Sequence, residues 1–376
     1  MKHIWSMPWL QRLFSPKITV VCLSILLVLT FWGTLYQVDH GLYAAQERFF
    51  NSWIIWLGGF VPLPGSQLVL FVLLINLLGY SINLLIFEPL RPGILLIHLG
   101  LLILLLGGAK TRYFAEESYL SLWEGETSNV SASYIDWELA LWTNQGIVRD
   151  VIATDADTLR PGERITFGDT GITAEVEVAH RNARAFQSTA GPGDLISSFD
   201  IARIEGIRRN KDPVQDVFAT ILRVEAPGQE PVRLALFGED ISSHGFIGAD
   251  GLKYHFNLRH KRKLLPIQVT LLDFNRSIYP GTEIAREFSS LVEIEEGGFA
   301  RRLTISMNKP LRHRGFTFYQ QSYQERPTGE QASTFAVAKN YGRLLPYVST
   351  GIIFIGMTLH FSIMLVQRAK RIRGPA

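Results

Sequence analysis

The stretch that decides the fold is Arg91–Gly108, RPGILLIHLGLLILLLGG, which is an apolar segment of helix length. From Gly93 onward its single ionisable residue is His98, set among leucine, isoleucine and glycine. A side chain that can carry charge costs free energy in hydrocarbon, so a histidine inside a membrane span is a candidate functional residue. The sequence therefore predicts a membrane-spanning helix with His98 as its candidate site.

Composition indicates a chain that is part membrane protein and part soluble protein. Hydrophobic residues make up 47% of the 376 residues and charged residues 19%, and the apolar residues are unevenly distributed. The net charge of +3 is small, and we expect no nucleic-acid partner. The single cysteine, Cys22, lies in an apolar run, which excludes a disulfide, a Cys-x-x-Cys pair and a c-type haem attachment motif within the chain. No Gly-rich phosphate loop or Gly-x-Ser-x-Gly elbow is present, so the sequence shows no machinery of a hydrolase, kinase or dehydrogenase.

Four apolar runs reach the roughly 20 residues that a membrane-spanning helix needs. They are Ile18–Tyr36, Leu68–Phe87, Gly93–Gly108 and Leu344–Val366, so that three spans fall within residues 18–109 and the fourth within residues 344–366. No small-residue cleavage site follows the first run, which favours an uncleaved helix over a signal peptide. Residues 39–65 carry Trp53 and Trp56 beside charged residues, which is typical of an amphipathic segment lying in the membrane interface.

The distribution of basic residues predicts the orientation of the spans. Lysine and arginine are concentrated in residues 1–17 and in residues 367–376, which are therefore expected to be cytoplasmic. An even number of spans then places the Glu88–Arg91 turn inside and residues 110–343 outside. The large segment between the third and fourth spans is thus predicted to be exported.

Residues 110–343 show the alternation of apolar and polar residues that is typical of strands. Stretches such as TAEVEVAH at 173–180 are separated by turn signals such as Pro227–Gly228, which predicts a mostly antiparallel, sandwich-like β domain. Gln187–Asp216 is polar and poorly periodic and is interpreted as a loop. The basic run Arg259–Lys263 favours a solvated strand end over a surface for lipid headgroups or haem propionates.

Two histidines lie within predicted spans at similar depth. His98 is seven residues after Arg91 and His360 is eight residues before Arg368, which places them about 10 Å and about 12 Å from the cytoplasmic ends of their helices. Neutral imidazole is a good axial ligand for haem iron, and helix bundles can carry such ligands on facing helices. Three readings remain open: each histidine bonds to a neighbouring helix, the two hold one haem, or one of them pairs with a histidine of a partner protein.

Glycines recur every seven residues in the third span, at Gly93, Gly100 and Gly107. Small residues on one face let two helices approach closely, so this seam predicts a helix contact. His98 lies about 200° around the helix from Gly100 and is expected to point away from the seam.

Two long blocks of the chain resemble a known family. The first runs from YQVDHGLYAAQERFFNSWIIWLGGFVPLPG at 36–65 to IHLGLLILLLGGAKTRYFAEESYLSLWEGE at 97–126. The second covers 265–294 and 301–323, and its most specific pieces are the Tyr279–Thr282 turn and the Gly315–Tyr323 segment. These blocks, with the order of three spans, an exported β domain and a final span, resemble the ResB (also called CcsB) family of cytochrome c biogenesis proteins. Residues from Gln145 to Val232 show no such resemblance.

The resemblance implies a system II subunit of the cytoplasmic (inner) membrane, with its large domain on the periplasmic side. In that family the partner is a Trp-rich polytopic protein of the ResC/CcsA type. The complex carries haem across the bilayer and attaches it to apocytochrome c. Whether this chain is itself an enzyme stays open, because holocytochrome c synthase activity would be shared with or carried by the partner.

The resemblance also implies that haem b is transported or transiently bound, with His98 as an axial ligand through the haem iron. The second ligand would come from the partner, which makes His360 the weaker candidate. Two other functions remain open: a membrane-anchored β-domain scaffold without a cofactor, and a bis-histidine electron-transfer subunit that uses both residues. The aromatic Gly315–Tyr323 segment is interpreted as sheet core rather than as a surface for a partner.

Overall fold

A computed structural model describes residues 7–87, 91–145, 148–187, 195–281 and 285–372. Most of the predicted Glu88–Arg91 turn, Thr282, the first six residues and the last four residues of the basic tail lie outside the described residues. The chain divides into two compact units. One comprises Met1–Glu116 with Lys339–Ala376, and the other comprises Glu117–Ala338.

The first unit is built on four long helices. They are α1 (Pro16–His40), α2 (Ser66–Phe87), α3 (Pro92–Phe114) and α4 (Leu345–Ile372). All four are long and apolar enough to cross a membrane, which confirms the four predicted spans and makes this chain a membrane protein. Local sequence sets the ends of α1: the Ser15 side chain accepts a hydrogen bond from the Lys17 backbone at 3.1 Å, and Gly41 ends the helix at a φ of 85°.

Residues 39–65 form a compact connection between α1 and α2. A short helix, Leu42–Ala45, runs into a π-helical turn, Gln46–Phe50, and then into a hairpin of β1 (Ile54–Leu57) and β2 (Val61–Pro64). The hairpin turn uses Gly58 and Gly59, whose φ values of 63° and 85° suit residues without a Cβ. Trp56 and Phe60 on this hairpin are 55% and 77% exposed. Its location in the membrane interface stays a prediction.

The second unit is the β-rich part of the chain. Its strands are β3 (Glu116–Trp123), β4 (Thr127–Gln145), β5 (Val148–Asp155), β6 (Arg164–Thr166), β7 (Thr173–His180), β8 (Ala183–Gln187), β9 (Leu195–Ile196), β10 (Ile201–Gly206), β11 (Ala219–Glu225), β12 (Val232–Phe237), β13 (Asp240–Ile241), β14 (Phe246–Ile247), β15 (Lys253–Ile278), β16 (Ala285–Glu296), β17 (Phe299–Ser306), β18 (Leu311–His313), β19 (Phe316–Glu325) and β20 (Gln331–Lys339).

These strands form a large sheet, a smaller sheet and a two-stranded pair. The large sheet has the order β17-β16-β15-β4-β3-β20-β19-β18, with β5, β13 and β14 paired beside β4 and β15. The smaller sheet has the order β6-β7-β11-β12-β9, and β8 pairs with β10. Pairing is antiparallel for β15 with β4 and β16, for β16 with β17, for β4 with β5 and for β11 with β7 and β12, and it is parallel for β12 with β9. The predicted antiparallel β domain is confirmed.

Three hydrophobic cores lie within this unit, and the two larger ones involve the large sheet. In the first, Val176 and Leu222 of the smaller sheet pack with Leu139 and Phe256 of the large sheet, so the two sheets face each other as in a sandwich. The second core joins strands of the large sheet and includes Phe318 of β19. Phe318 is fully buried and Tyr319 is 41% exposed, so the Gly315–Tyr323 segment contributes to the sheet core on one face only.

Two interpretations of the β region need correction. The Gln187–Asp216 segment is not simply a loop, because β10 lies within it and pairs with β8 from Ile201 to Gly206. The Arg259–Lys263 run is not a solvated strand end, because it lies within the long strand β15 and Arg259 is 4% exposed. In both cases a distant pairing strand overrides the local polarity of the sequence.

Candidate functional site

His98 lies on α3 with its imidazole half-buried and with one ring nitrogen already engaged. Its Nδ1 is 2.8 Å from the carbonyl oxygen of Ile94, one turn earlier in the same helix. A carbonyl oxygen can only accept a hydrogen bond, so Nδ1 carries the proton in this contact. The lone pair is then on Nε2, which is the arrangement that an iron-ligating imidazole requires.

Tyr80 of α2 lies against the His98 ring. The two ring centroids are 5.1 Å apart and the ring planes are tilted by 30°. The contact holds the imidazole on the side of α3 that faces α2. In the sequence, Asn76, Tyr80 and Asn83 recur at helical spacing and form a polar stripe on α2, but this spacing alone cannot show that the stripe meets His98.

Asn76, one turn away on the same stripe, has a structural role. Its side-chain oxygen accepts a hydrogen bond from Thr19 at 2.8 Å, and its side-chain nitrogen donates to the Leu13 and Ser15 carbonyl oxygens at 2.7 Å and 3.2 Å. Asn76 is 3% exposed and its hydrogen-bonding groups are engaged. It therefore ties α2 to the start of α1 rather than contributing to a ligand site.

The glycine seam of α3 contacts α4, as predicted. A Cβ built at Gly93 would lie 2.6 Å from the backbone nitrogen of His360, and one built at Gly100 would lie 2.5 Å from Cγ1 of Ile353. A Cβ at Gly107 would lie 2.8 Å from the Cβ of Leu345. The two helices thus approach closely at all three glycines, with backbone as the nearest neighbour at Gly93 and side chains as the nearest neighbours at Gly100 and Gly107.

The structure does not bring His98 and His360 together. The backbone of His360 packs at Gly93, five residues before His98 and about 7.5 Å away along the helix axis. That contact is on the seam face of α3, whereas the His98 ring lies on the α2 side against Tyr80. The described contact of the His360 ring is with its neighbour Phe361, at 5.5 Å between centroids.

The surroundings of His98 fit one axial ligand of a haem better than a site for a bare metal ion. Within the described ranges no group of three or more His, Cys, Asp or Glu side chains could hold a metal ion. The imidazole itself has a fixed tautomer, an aromatic neighbour and an apolar helix around it, including Leu99, which is 45% exposed. An imidazole that ligates haem needs a free ring nitrogen and apolar surface beside it, and this part of α3 offers both.

The basic run on β15 is engaged within the β-rich unit. Nε of Arg259 donates to Glu138 on β4 at 2.7 Å, and both side chains are at most 8% exposed. Lys261 pairs with Asp155 at 2.5 Å. The guanidinium of Arg259 is therefore committed to an internal partner. Glu138 and Arg259 are 121 residues apart, and no local signal in the sequence links them.

His260, the next residue, is packed beside Trp137, with ring centroids 4.1 Å apart. Burial lowers the pKa of His260, and the nearby Glu239 carboxylate acts in the opposite direction. Its Nδ1 is buried and has no hydrogen-bond partner among the described residues. Burial thus favours the neutral form of this ring, which packs against Trp137 of the first β core.

The helices and the site together define a class: a four-span membrane protein with a half-buried intramembrane histidine and a large antiparallel β unit. Residues 248–341 match the model of the ResB-like family. The match covers about a quarter of the chain and contains the second block that carried the resemblance, so it supports a likeness to this family over those residues. No curated protein matches the chain.

Proposed function

We propose that this chain is the haem-holding subunit of a system II cytochrome c biogenesis complex. In this proposal Nε2 of His98 binds the iron of haem b within the bilayer, and a polytopic Trp-rich partner of the ResC/CcsA type supplies the second axial ligand. The complex carries haem across the cytoplasmic membrane and attaches it to apocytochrome c outside. The β-rich unit then lies on the periplasmic side, where the apocytochrome would meet it.

The observation that carries this proposal is the state of the His98 ring. Because Nδ1 bonds to the Ile94 carbonyl, Nε2 is left with its lone pair and with no protein partner among the described residues. Satisfied structural histidines in a membrane usually use both nitrogens, since an unpaired polar atom in hydrocarbon is costly. A helix that keeps one imidazole nitrogen free, with the tilted ring of Tyr80 beside it, is arranged for an external ligand.

A ligand from another chain is favoured over His360 by the packing of α3. The seam side of the helix is filled by α4, which brings His360 to Gly93 on the face opposite His98. An intramolecular bis-histidine haem would require α4 to leave the seam. The electron-transfer reading is therefore the weaker alternative.

The test is to purify the chain together with its membrane partner and record the absorption spectrum. We expect haem to copurify with the spectrum of a six-coordinate bis-imidazole iron, and we expect His98→Ala to lose that spectrum and to stop cytochrome c maturation. His360→Ala is the matched control on the neighbouring helix and should retain the haem. Added imidazole should restore the spectrum of His98→Gly, because the free base can fill the vacated position.

Three outcomes would decide against the proposal. If no haem copurifies even with the partner, and His98→Ala leaves maturation intact, the chain is a scaffold without a cofactor. If His360→Ala removes the spectrum as fully as His98→Ala, the pair within this chain is the ligand set. If imidazole fails to restore His98→Gly while the variant folds normally, His98 acts through packing and not through iron.

A further inference from the structure

A cavity of about 520 Å³ opens where α3 ends and the chain returns to α4. Its lining comes from the last two turns of α3, from the two residues after that helix and from one residue on the approach to α4: Lys110, Tyr113, Phe114, Ala115, Glu116 and Tyr341. All six residues belong to the unit that contains the four long helices. The cavity is therefore a feature of the membrane unit itself.

The length of α3 sets the depth of this cavity in the membrane. Lys110 is eighteen residues after Pro92, or about 27 Å along the helix axis. The hydrocarbon core of a bilayer is about 30 Å thick, so a helix that enters it near Pro92 brings Lys110 to the level of the lipid headgroups. His98 lies twelve residues before Lys110, or about 18 Å away, so the cavity is separate from the candidate haem ligand.

The end of α3 is fixed to the segment that leads into α4. The Thr111 hydroxyl donates to the side-chain oxygen of Asn340 at 3.2 Å, and the Gly342 backbone N–H donates to the same oxygen at 2.7 Å. A Cβ built at Gly342 would lie 2.6 Å from the Thr111 hydroxyl oxygen and 3.0 Å from the Gly107 carbonyl oxygen. The two walls of the cavity are thus held together, which gives Tyr341 a defined place beside the end of α3.

Basic side chains dominate this end of the two helices. Residues 110–116 and 339–343 carry four cationic side chains and one carboxylate, a net charge of +3: Lys110, Arg112, Lys339, Arg343 and Glu116. The Tyr341 hydroxyl and, to a smaller degree, the Glu116 carboxylate raise the pKa of Lys339, so the carboxylate already has a cation near it. Lys110 is exposed, and its ammonium has no ion pair or hydrogen bond within the described part of the chain. Its charge is therefore available to a ligand.

Aromatic rings surround this cation. Tyr113, Phe114 and Tyr341 are 61%, 61% and 52% exposed, although each ring is large and mostly apolar. Aromatic side chains of this kind are favoured at the membrane–water boundary, where the ring meets lipid and the hydroxyl of tyrosine meets water. A phospholipid satisfies both features of the cavity, because its phosphate suits the cation and its glycerol and acyl chains cover the rings. A soluble anion would leave the rings in water.

We propose that this cavity binds the headgroup of an anionic phospholipid. The Lys110 ammonium contacts the lipid phosphate, and the three aromatic rings pack against the glycerol and the first methylenes of the acyl chains. Basic pockets between membrane helices favour lipids whose headgroup has a net negative charge. A zwitterionic headgroup would bring its own cation into the same basic surroundings and is disfavoured. The bound lipid holds the shared end of α3 and α4 at the headgroup level, and this role does not depend on the function proposed for His98.

The experiment is photolabelling of the full chain in phosphatidylcholine vesicles. The vesicles contain a trace of phosphatidylglycerol with a diazirine near the glycerol end of one acyl chain, and mass spectrometry identifies the labelled peptides. We expect the label on residues 110–116 and 341–347. Lys110→Gln should lower this labelling about fivefold at subsaturating probe, which corresponds to about 1 kcal/mol for one basic residue near the membrane surface. Labelling of the basic tail, residues 367–376, is the internal reference and should stay constant.

Matched controls separate a specific lipid contact from general charge. Lys110→Arg keeps the charge and should retain most of the labelling. Lys211→Gln removes the same charge from an exposed bend of the β-rich unit and should leave the labelling unchanged. Unlabelled phosphatidylglycerol should displace the probe, whereas inorganic phosphate should not. The melting temperature of Lys110→Gln should match wild type, because the side chain is exposed.

The inference is overturned if Lys110→Gln is labelled as strongly as wild type at residues 110–116, or if Lys211→Gln lowers the labelling by as much. Displacement of the probe by inorganic phosphate would also overturn it, because the cavity would then be a site for a soluble anion. A label confined to the basic tail would show that the cavity holds no lipid.

Discussion

The imidazole of His98 and the phenol ring of Tyr80 face each other across α3 and α2, 5.1 Å apart between centroids. Tyr80 thereby limits the rotation of the imidazole while Ile94 fixes its tautomer. Groups that orient a metal ligand typically change metal affinity by 10–100-fold when they are removed. The contact makes Tyr80 a positioning residue for the proposed haem ligand.

We therefore predict that Tyr80→Ala lowers the haem content of the purified partner complex by roughly tenfold, the lower end of that range. Tyr80→Phe keeps the ring and should retain haem close to the wild-type level. The haem-to-protein ratio by pyridine haemochrome assay measures the effect. Equal haem content in the two variants would show that the ring contact has no part in holding the ligand.

The contact of Gly93 with the His360 backbone predicts a stability effect. In Gly93→Ala the new Cβ would meet a backbone nitrogen at 2.6 Å, and α4 would have to move. Overpacking of this kind costs about 1–3 kcal/mol. We expect a lower melting temperature in detergent and easier separation of α3 from α4.

The control is Gly108→Ala, since a Cβ there would have no atom within 4 Å. Alanine has a better helix propensity than glycine by up to about 1 kcal/mol, so this variant should be neutral or slightly more stable. If Gly93→Ala melted at or above Gly108→Ala, the close contact between the helices would not be a feature of the folded protein.

The buried pair of Glu138 and Arg259 predicts a large loss of stability in Glu138→Gln. Removing one charge leaves the Arg259 guanidinium uncompensated in the interior, which costs about 3–5 kcal/mol. Glu293→Gln breaks an exposed pair with Arg302, at 2.8 Å, and should cost less than about 1 kcal/mol. Chemical denaturation followed by tryptophan fluorescence measures both, and similar midpoints for the two variants would contradict the prediction.

His260 predicts acid sensitivity of the β-rich unit. Burial lowers its pKa from the ordinary value of 6.5, so the folded state keeps the ring neutral where the unfolded chain binds a proton. Stability from this group is therefore full above pH about 6.5 and falls as the pH drops below it towards the lowered folded pKa. The charged neighbours Glu239 and Asp136 raise the pKa and moderate the effect without reversing it.

The measurement is the melting temperature between pH 8 and pH 5 for wild type and His260→Gln. Wild type should lose stability more steeply on the acid side, because glutamine has no proton to bind. The comparison uses the slope with pH and not the absolute value, since the substitution also changes the packing beside Trp137. Parallel slopes for the two proteins would show that His260 does not couple folding to protonation.

Several features of this protein follow from local sequence. The four spans are recognisable because apolar length alone decides whether a helix can cross a bilayer, and the structure has helices over the four predicted runs. The close contact of α3 with another helix could be predicted from Gly93, Gly100 and Gly107, because helix periodicity places them on one face. The β architecture could be predicted from the alternation of apolar and polar residues. Two local predictions were wrong, because Arg259 is buried and residues Ile201–Gly206 form a strand although their local sequence is polar.

Other features depend on residues that are far apart in the chain and come together only in the fold. Sequence gave no reason to pair Glu138 with Arg259 or Tyr80 with His98, because neither pair follows a local period. The sequence by itself determined that His98 lies in a membrane helix, since hydrophobicity is a local property. The tertiary structure decided which way His98 faces and separated it from His360, because α4 packs against the opposite side of α3.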